Sequence, residues 1–512
     1  MRIGDLFQGI EILEKIYWDP HKKITKITSD SRLIEPGDLF VACPGSRMDG
    51  HDFLSQAILA KASAIVFEKN TDILLPSKIA AVRVRDSQAC LSQLLNCFYQ
   101  HPDQKVKLIG VTGTNGKTTI SYLMHRLLRE KAPAGYLGTL WYELPGSKIP
   151  ACEVQTHKVS RACRNHRIPA VNTTPGSEVL VPLLKQIVDE KGQYCVMEVS
   201  SHALDQRRVY GLQFDLAMFT QLTQDHLDYH KDMETYFNAK KRFFISEPPP
   251  RHRLINSDCP YGRRLLKEIP SAKSYSLSAP ADYQVVGMEC SFQGSRFKLR
   301  FKNREVSFQI RLPMRHNVAN VVTVLAGMDL LGYDPEDFQG VLAEIPGIPG
   351  RLERVLGSEG FDVFVDYAHT PDAIENVLAE ARKLNPGRVL TLFGCGGDRD
   401  RTKRPLMAKA ACQDSDIVIL TSDNPRSEDP EAILEDIKKG LPKNSQMPAV
   451  LEILDRREAI DKLISLAEPG DAVFVLGKGH EDYQIIGDRK IPFDDRAVVQ
   501  ECLKRKTRVF FS

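Results

Sequence analysis

The fold of this chain is decided by residues 106–119, which read Val106-Lys107-Leu108-Ile109-Gly110-Val111-Thr112-Gly113-Thr114-Asn115-Gly116-Lys117-Thr118-Thr119. The first six residues are mostly apolar, as expected of a strand that is covered on both faces of a parallel sheet. Gly113 and Gly116 then allow a tight turn in which successive backbone N–H groups can face phosphate oxygens. The stretch therefore predicts a loop that binds a nucleoside triphosphate (the P-loop).

Side chains in and after the turn strengthen this prediction. Lys117 places a cation near the terminal phosphates, and the hydroxyl of Thr118 is a suitable ligand for a magnesium ion. Apolar residues follow at helical spacing, so the phosphates would lie at a helix N-terminus. Val111 stands where the general pattern has glycine, which makes the loop a variant; a turn that binds no phosphate is the alternative. We assign ATP to Gly113, Thr114, Asn115, Gly116, Lys117, Thr118 and Thr119.

Length and composition limit the class of protein. At 512 residues the chain is too long for one hydrophobic core and suggests roughly three domains. A net charge of +3, from 69 basic and 66 acidic residues, gives no strong field for nucleic acid or a membrane surface. Charged residues interrupt residues 1–20, and no apolar run approaches the roughly 18 residues of a membrane span. The 11 scattered cysteines are typical of reduced thiols, so we expect a cytoplasmic protein.

The order of strands, helices and loops predicts an α/β fold with three domains. Residues 1–105 contain short strands and a helix and would form a small N-terminal domain. Residues 106–345 begin with the P-loop strand and would form a central domain around a parallel sheet of the P-loop ATPase type. The Pro/Gly cluster at 344–350 cannot continue a helix or strand and marks the next boundary. Strands alternate with helices over 346–512, which predicts a Rossmann-like C-terminal domain.

Polar residues follow nearly every predicted strand of the second and third domains. In parallel α/β sheets, ligands bind beyond the carboxyl ends of the strands. Loops are polar in any case, but repeated groups of His, Asp, Glu, Arg and Gly are poorly explained by solvation alone. We therefore expect two facing sites on two domains. The groups lie at 198–202, 220–230, 366–371, 394–400, 423–426 and 477–482.

Two of these groups supply candidate ligands for magnesium. Glu198 and His226 would join Thr118 around the ion, which prefers oxygen ligands and retains several waters. A histidine that caps a helix or lies in a core is the alternative for His226. The sequence therefore predicts a magnesium site beside the P-loop.

Four motifs resemble the Mur ligase family in their order and separation: GTNGKTT at 113–119, EVSSH at 198–202, DHLD at 225–228 and HNVAN at 316–320. Three further segments narrow the resemblance to ligases that add the third residue of the peptidoglycan stem peptide. They are SDSR at 29–32, NTTPG at 172–176 and DNPR at 423–426. The resemblance covers essentially the whole chain.

The resemblance implies an ATP-dependent amide ligase that acts on UDP-N-acetylmuramoyl-L-alanyl-D-glutamate. The D-glutamyl carboxylate would attack the γ-phosphate, and the amine of meso-diaminopimelate would displace phosphate from the resulting acyl phosphate. Catalysis would come mostly from positioning and electrostatics, with magnesium as the cofactor and ATP as a co-substrate. We expect a monomer that binds no nucleic acid and no membrane. The implied catalytic residues are Lys117, Lys240, His226 and Glu198.

The resemblance also assigns residues to each ligand. Additional ATP contacts are Asn317, Asn320, Arg351 and Asp366. The UDP-muramoyl dipeptide is assigned to Ser29, Ser31, Ser46, Arg47, Met48, Asn172, Thr173, Thr174, Ser200, Gln206 and Arg208. The meso-diaminopimelate pocket is assigned to Arg399, Asp423, Asn424, Pro425, Arg426, Gly477 and Glu481. From the residues alone, local capping is the alternative for the two asparagines, and a loop contact is the alternative for Arg426.

Two of these assignments carry a specific chemical expectation. Lys240 lies where family members often have an N-carboxylated lysine, whose carbamate would be an anionic ligand for magnesium. On composition alone, Lys240 and Lys241 would be ordinary exposed helix residues. The guanidinium of Arg426 would pair with the distal carboxylate of meso-diaminopimelate, which lysine lacks, and Glu481 would bind the ammonium group.

Three other functions stay open at this point. The same reaction with L-lysine is one, and another ligase of the superfamily, such as folylpolyglutamate synthetase, is the second. That ligase would lack the uridine-binding N-terminal domain and the DNPR segment. A nucleotide switch that binds ATP without amide synthesis is the third, and phosphate release that depends on the amino acid would exclude it.

Overall fold

The computed structural model describes residues 1–45, 48–69, 74–146, 167–355, 360–442 and 448–510, with the backbone alone for 507–510. These residues form three α/β domains, each built around its own sheet, which confirms the predicted fold class. Ser46 and Arg47, two residues assigned to the UDP-linked substrate, lie outside the described residues. None of the helices in the described ranges has the length and apolar character that a membrane span requires.

The N-terminal domain is a twisted sheet flanked by helices. Its elements are α1 (Ile3–Leu6), β1 (Glu14–Ile16), β2 (Ile27–Thr28), β3 (Leu39–Val41), α2 (Leu54–Leu59), β4 (Ala64–Phe67), β5 (Ala80–Arg83) and α3 (Ser87–Phe98). The strand order is β1-β5-β4-β3-β2, with β1 antiparallel to β5 and the other pairs parallel. Strands β3 and β4 are buried along their whole length, as expected of apolar strands covered on both faces.

The central domain contains a larger sheet in which the P-loop strand lies between two parallel neighbours. Its strands are β6 (Lys107–Thr112), β7 (Ala134–Leu137), β8 (Tyr142–Glu143), β9 (Arg167–Ile168), β10 (Tyr194–Glu198), β11 (Leu216–Phe219), β12 (His252–Asn256), β13 (Lys273–Ser276), β14 (Tyr283–Ser291), β15 (Gly294–Phe301) and β16 (Arg304–Ile310). Their order is β16-β15-β14-β13-β12-β11-β6-β10-β7-β8-β9. Leu108, Ile109 and Val111 are fully buried, which confirms the prediction of a strand covered on both faces.

Helices cover both faces of the central sheet. They are α4 (Lys117–Arg129), α5 (Ser177–Asp189), α6 (Ser201–Asp205), α7 (Leu227–His230), α8 (Met233–Lys241), α9 (Pro260–Glu268), α10 (Arg315–Leu330) and α11 (Gln339–Glu344). The apolar residues that predicted α4 are buried against the sheet and α10. The antiparallel strands β14–β16 were not predicted. They extend the parallel sheet and pack alternate side chains, including Phe297 and Phe308, into the same core.

The C-terminal domain is a mostly parallel sheet with helices on both faces, which confirms the Rossmann-like prediction. Its elements are β17 (Glu353–Val355), β18 (Asp362–Asp366), α12 (Pro371–Lys383), β19 (Val389–Phe393), α13 (Lys403–Asp414), β20 (Ile417–Leu420), α14 (Pro430–Lys438), β21 (Ala449–Glu452), α15 (Arg456–Leu466), β22 (Ala472–Leu476), β23 (Tyr483–Ile486), β24 (Arg489–Pro492) and α16 (Asp495–Phe510). The order of the main sheet is β17-β18-β22-β19-β20-β21, and β23 pairs with β24 as a hairpin. Polar loops follow β18, β19, β20 and β22 at one edge of this sheet.

Candidate active site

The P-loop lies at the carboxyl end of β6, where its geometry requires two glycines. Gly113 and Gly116 have φ angles of +150° and +86°, in the region that favours glycine. A Cβ atom at Gly113 would lie 1.8 Å from Oγ1 of Thr220, and one at Gly116 would lie 2.6 Å from Oδ1 of Asn320. Helix α4 begins at Lys117, so a helix N-terminus lies where the phosphates were predicted to bind.

Lys117 is held against the loop that it follows. Its Nζ atom donates hydrogen bonds to the carbonyl oxygens of Gly113 and Thr114, at 3.0 and 2.9 Å. Burial lowers the pKa of Lys117, while the charges of Glu198 and Asp225 act in the opposite direction. The ammonium group is therefore placed at the phosphate-binding turn by the backbone of the turn itself.

The P-loop opens into a cavity of about 650 Å³ between the central and C-terminal domains. This cavity brings together most of the residues predicted to bind ATP and magnesium, although they are distributed over about half of the chain. From the central domain the lining includes Thr114, Asn115, Gly116, Lys117, Thr118, Thr119, Glu198, His226, Asn317 and Asn320. From the C-terminal domain it includes Arg351, Asp366, Tyr367, Ala368, His369 and Thr370.

Glu198 is fully buried at the end of β10. Its carboxylate accepts four hydrogen bonds, which are donated by three residues. Its Oε2 accepts from the hydroxyls of Thr118, at 3.0 Å, and Thr139, at 3.1 Å. Its Oε1 accepts from the backbone N–H of Thr139 at 2.7 Å and from the hydroxyl of Tyr136 at 3.4 Å. These donors stabilise a carboxylate at a depth where an unpaired charge would be costly. The carboxylate is therefore held beside the P-loop hydroxyl.

Arg351 brings a cation from the C-terminal domain to the same place. Its Nη2 donates to Oγ1 of Thr118 at 3.1 Å, and its guanidinium lies 4.6 Å from the ring centre of Tyr367. Its buried Nε has no hydrogen-bond partner among the described residues. Asp366 accepts from the backbone N–H groups of Leu352 and Ala368, at 2.6 and 2.7 Å, which fixes the segment next to Arg351. An unpaired guanidinium N–H beside a phosphate-binding loop is suited to an anionic ligand.

The residues beside the P-loop fit a magnesium ion that keeps few protein ligands. The oxygens of Thr118 and Glu198 lie 3.0 Å apart, and both are of the type that magnesium prefers. Within the described ranges, no three His, Cys, Asp or Glu side chains form a metal-binding group, as expected where water and phosphate complete the shell. His226 lines the same cavity, with its Nε2 3.3 Å from Oδ2 of Asp225. Burial lowers the pKa of His226 to about 4, so its ring is neutral, which is the form that binds metals.

Lys240 is buried, contrary to the expectation from composition alone. Only 1% of its surface is exposed, and its Nζ donates to the carbonyl oxygen of Gly113 at 2.9 Å. The same nitrogen lies 4.7 Å from the ring centre of Tyr236. Burial, reinforced by the charge of Lys117, holds the pKa of Lys240 well below its usual range. Lys241, the next residue, instead pairs with Glu268 near the surface.

The two asparagines predicted to contact ATP, Asn317 and Asn320, lie in the first turns of α10 and line the cavity. Nδ2 of Asn317 donates to the carbonyl oxygen of Pro313 at 2.9 Å. Nδ2 of Asn320 donates to Oδ1 of Asn317 at 3.4 Å. Both side chains are therefore ordered by local bonds, and local bonding does not exclude a ligand because both also line the cavity.

The N-terminal residues assigned to the UDP-linked substrate contact their own surroundings in this structure. The backbone N–H and Oγ of Ser29 donate to the carboxylate of Glu178, in α5 of the central domain, at 2.8 and 2.5 Å. Oγ of Ser31 donates to Oε1 of Gln56 at 2.8 Å. Met48 is 67% exposed, so its side chain is accessible to a ligand. Glu178, which joins two domains at this place, was not predicted.

Residues of the central domain that were assigned to the muramoyl dipeptide form one connected group. Oγ1 of Thr174 donates to the carbonyl oxygen of Glu198 at 2.8 Å and accepts from the backbone N–H of Ser200 at 2.9 Å. Nη1 of Arg208 donates to the carbonyl oxygen of Thr174 at 2.7 Å, and its Nη2 donates to Oε1 of Gln206 at 2.7 Å. Two further members of the assignment lie at the same edge: Thr173, 3.1 Å from Oγ1 of Thr139, and Asn172, whose carbonyl accepts from Tyr142.

The residues assigned to the amino-acid substrate meet where the loops after β19, β20 and β22 converge. Nη1 of Arg426 donates to the carbonyl oxygen of Gly397 at 2.7 Å, and Nδ2 of Asn424 donates to Oε2 of Glu481 at 2.9 Å. Gly477 has a φ of +113°, and a Cβ there would lie 2.9 Å from Oδ2 of Asp423. Arg399 and Pro425 belong to the same pair of loops. The structure thus brings this predicted group together.

Three residues of this region were missed by sequence reasoning. Lys478 is fully buried, and its Nζ donates to Oδ1 of Asn424 and Oε2 of Glu481 at 3.2 and 3.1 Å. Arg404 is also fully buried and forms a bidentate pair with Glu428, which in turn accepts from the backbone N–H of Asp398. Arg404 lies inside helix α13, where its sequence pattern did not distinguish it from an exposed residue. Lys478 could have been found, because it belongs to the polar group at 477–482.

Sequence comparisons agree with the arrangement of these motifs. Residues 23–99, 111–328 and 350–479 match, in turn, the profiles described as "Mur ligase family, catalytic domain", "Mur ligase middle domain" and "Mur ligase, glutamate ligase domain". The chain is 42% identical over 491 residues to a UDP-N-acetylmuramoyl-L-alanyl-D-glutamate–2,6-diaminopimelate ligase of Gloeobacter violaceus, covering 96% of both chains. A ligase of the same name from Clostridium botulinum is 41% identical, over 94% of this chain and 96% of the relative.

Comparison of structures gives the same result. A solved structure of a UDP-N-acetylmuramoyl-L-alanyl-D-glutamate–2,6-diaminopimelate ligase superposes with a TM-score of 0.69 at 29% identity, and covers 99% of each chain. The match therefore extends over all three domains, in the same order. With this fold, these motifs and relatives this similar over nearly their whole length, the chain belongs to the Mur ligase family.

Proposed function

We propose that this chain joins meso-diaminopimelate to the D-glutamyl carboxylate of UDP-N-acetylmuramoyl-L-alanyl-D-glutamate in peptidoglycan precursor synthesis. ATP would be converted to ADP and phosphate in the reaction. The observation that carries this proposal is the similarity, over nearly the whole chain, to relatives that bear this activity in their names. The same similarity favours this ligase over folylpolyglutamate synthetase and over a nucleotide switch without amide synthesis.

The proposed reaction requires an anionic carboxylate to approach an anionic triphosphate. A carboxylate oxygen attacks the γ-phosphorus, the bond to the bridging oxygen breaks, and ADP leaves. The deprotonated amine then attacks the acyl carbon, and phosphate leaves as the amide bond forms. Lys117, Arg351 and the backbone N–H groups of the P-loop lower the repulsion between the two anions. Catalysis therefore rests on charges that the fold places in advance.

The chemistry that a bound magnesium ion supplies is additional positive charge on the phosphate oxygens. Thr118 and Glu198 would hold the ion, since their oxygens already meet beside the P-loop. We assign His226 and a carbamate on Lys240 as further ligands. The carbamate assignment is supported by the burial and lowered pKa of Lys240, because carbon dioxide reacts with a neutral amine.

Ligand assignments follow the three parts of the site. ATP would contact the P-loop and, across the cavity, Asn317, Asn320, Arg351 and Asp366. The UDP-muramoyl dipeptide would lie between the N-terminal and central domains, where Thr174, Ser200, Gln206 and Arg208 form a connected group. Ser29 would bind the uridine nucleotide of this substrate. Its backbone N–H and hydroxyl now donate to Glu178, so the nucleotide would either replace Glu178 as the acceptor or bind beside it.

The amino-acid pocket is proposed to select meso-diaminopimelate over L-lysine. The backbone of Arg426 has a φ of +53°, and its Nη1 bond to Gly397 fixes the guanidinium between two pocket loops. The other guanidinium nitrogens would pair with the distal carboxylate of the diacid. Glu481, held by Asn424 and Lys478, would bind the ammonium group. We further propose a cytoplasmic monomer, as no part of this scheme needs a second subunit or a membrane.

The experiment that tests this function supplies ATP, the UDP-muramoyl dipeptide and one amino acid at a time. We expect ADP release that depends on meso-diaminopimelate and a product whose mass corresponds to the UDP-muramoyl tripeptide. ATP hydrolysis that is independent of any amino acid would contradict the ligase assignment. Equal use of L-lysine would contradict the assignment of the amino acid alone.

A further inference from the structure

Helix α12 of the C-terminal domain contacts the central domain at two places along its length. Asp372, in its first turn, reaches the P-loop, and Glu380, about two turns later, reaches α10. Oε2 of Glu380 lies 2.8 Å from Nδ1 of His316 and accepts from its backbone N–H at 3.3 Å. Between these contacts, Ala373 and Val377 line the same cavity as the P-loop. One face of α12 therefore forms a wall of the nucleotide cavity.

Asp372 makes two of these interdomain hydrogen bonds with a single oxygen. Its Oδ2 accepts from Nδ2 of Asn115, within the P-loop, at 3.1 Å. The same oxygen accepts from Oγ1 of Thr223, in the loop after β11, at 2.8 Å. The carboxylate thus joins two loops of the central domain to the start of α12.

These two loops are already connected within the central domain. The backbone N–H of Thr114 donates to the carbonyl oxygen of Gln221 at 2.8 Å. Oγ1 of Thr220 donates to the carbonyl oxygen of Asn115 at 2.7 Å, and the backbone N–H of Thr223 donates to Oγ1 of Thr114 at 3.1 Å. Because of these bonds, a displacement of the loop after β11 would also displace the P-loop.

We propose that Asp372 is a positioning residue that couples the docking of the C-terminal domain to the shape of the P-loop. The two donors stabilise the charge of this carboxylate, which lies close to the phosphate-binding loop. Asp372 acts through Asn115 and Thr223, and holds the loop in position as Arg351 of the same domain reaches Thr118. The inference rests on the proposed function, since its effect is read as ATP use.

The test compares four single variants and one double variant of the purified 512-residue chain. Asp372→Ala removes both bonds, Asp372→Asn keeps an acceptor oxygen without the charge, and Thr223→Val removes one donor at nearly constant volume. Glu375→Gln is the matched control, because Glu375 is exposed on the same helix and loses the same charge. Steady-state ADP release gives kcat and the KM for ATP and for meso-diaminopimelate, and thermal melting reports folding.

We expect Asp372→Ala to lower kcat by about tenfold or more, the size expected for lost hydrogen bonds to a charged group. Asp372→Asn should recover part of the loss, and Glu375→Gln should match wild type. The double variant Asp372→Ala with Thr223→Val should lose less than the product of the two single losses, because the residues share one bond. The KM for meso-diaminopimelate should change little, since the amino-acid pocket is formed by other loops.

Several results would overturn the role of Asp372. An Asp372→Ala enzyme with the kcat and ATP KM of wild type would do so, as would losses that multiply fully with Thr223→Val. If Asp372→Ala does not fold, Asp372→Asn and Thr223→Val decide the matter, and wild-type kcat in both would reject the proposal. A wild-type protein without ADP release that depends on meso-diaminopimelate would instead contradict the proposed function.

Discussion

Nζ of Lys240 donates a hydrogen bond to the carbonyl oxygen of Gly113, 2.9 Å away. This bond joins the last turn of α8 to the P-loop across 127 positions of sequence. Burial, together with the charge of Lys117, lowers the pKa of Lys240 well below its usual range, which favours the neutral, nucleophilic form of its amine. The bond places the amine of Lys240 directly against the phosphate-binding turn.

Replacement of Lys240 by alanine is expected to leave the enzyme nearly inactive. Without a carbamate, the site loses an anionic oxygen close to the proposed metal ligands. Short carboxylates such as acetate or formate should restore part of the activity, because they can enter the space and supply such an oxygen. Steady-state ADP release with and without added carboxylate checks this.

Lys241→Ala is the matched control, since Lys241 is adjacent but pairs with Glu268 at the surface. We expect only a small change for this variant. Carbon NMR after exposure to isotopically labelled bicarbonate reports the carbamate on the wild-type enzyme. A fully active enzyme that carries an unmodified Lys240 would remove the carbamate hypothesis.

Lys117→Ala is expected to abolish ligation while the protein stays folded. The ammonium group acts on charge that develops on phosphate, and losing one preorganised donor of this kind typically costs about 100-fold or more in kcat. Its bonds to two P-loop carbonyls are local, so thermal melting should shift little. Near-normal turnover in the variant would refute the assignment of the P-loop.

Arg426→Ala is expected to reduce selectivity for meso-diaminopimelate. The variant would leave the distal carboxylate of meso-diaminopimelate without its guanidinium partner. Removing one member of a buried ion pair typically costs about 2–5 kcal/mol. The lower part of that range corresponds to about thirtyfold in kcat/KM. Kinetics with meso-diaminopimelate and L-lysine, on wild type and variant, measure the effect. The KM values for ATP and the UDP-linked substrate should stay unchanged, and a wild type that uses lysine equally well would show the substrate assignment to be wrong.

The contact between His316 and Glu380 predicts that the stability contributed by this interdomain pair depends on pH. Burial opposes the charged form of His316, but the charge and hydrogen bond of Glu380, with the charge of Asp366, raise its pKa above the usual 6.5. Burial likewise opposes the charge on Glu380, but His316 and Lys383 lower its pKa below the usual 4.5. The contribution of His316 is present below pH 6.5 and is lost as the pH rises through the raised pKa. The contribution of Glu380 is present above pH 4.5 and is lost as the pH falls through the lowered pKa.

Thermal melting of wild type and His316→Gln between about pH 6 and about pH 9 tests this prediction. The difference in stability should be on the order of 1 kcal/mol or less near pH 6, because the partly exposed pair is screened by water. It should shrink as the pH rises. His21→Gln, which alters an exposed histidine of the N-terminal domain, should show no such trend. A difference that stays constant over this range would reject a role for the charge of His316.

Much of the fold could be predicted from short-range patterns. The strand at 107–112, the glycine turn and the amphipathic α4 are encoded within about twenty consecutive residues, where periodicity reports which side chains are buried. The parallel strands of the C-terminal domain were recognisable for the same reason. Strands β14–β16 were not predicted. Their alternate apolar side chains are buried because they pack into one core with α10 and the parallel strands, a contact that depends on the tertiary structure.

By itself, the sequence determined the phosphate-binding turn, the order of the domains and the residue types available for charge neutralisation. Only the tertiary structure decided that Lys240 is buried and Lys241 is not, although both stand side by side in one helix. It also decided that Asp372 meets Asn115 across 257 positions. The physical reason is that helices and strands follow from local backbone preferences and hydrophobic periodicity, whereas burial and interdomain contacts depend on which surfaces are packed together.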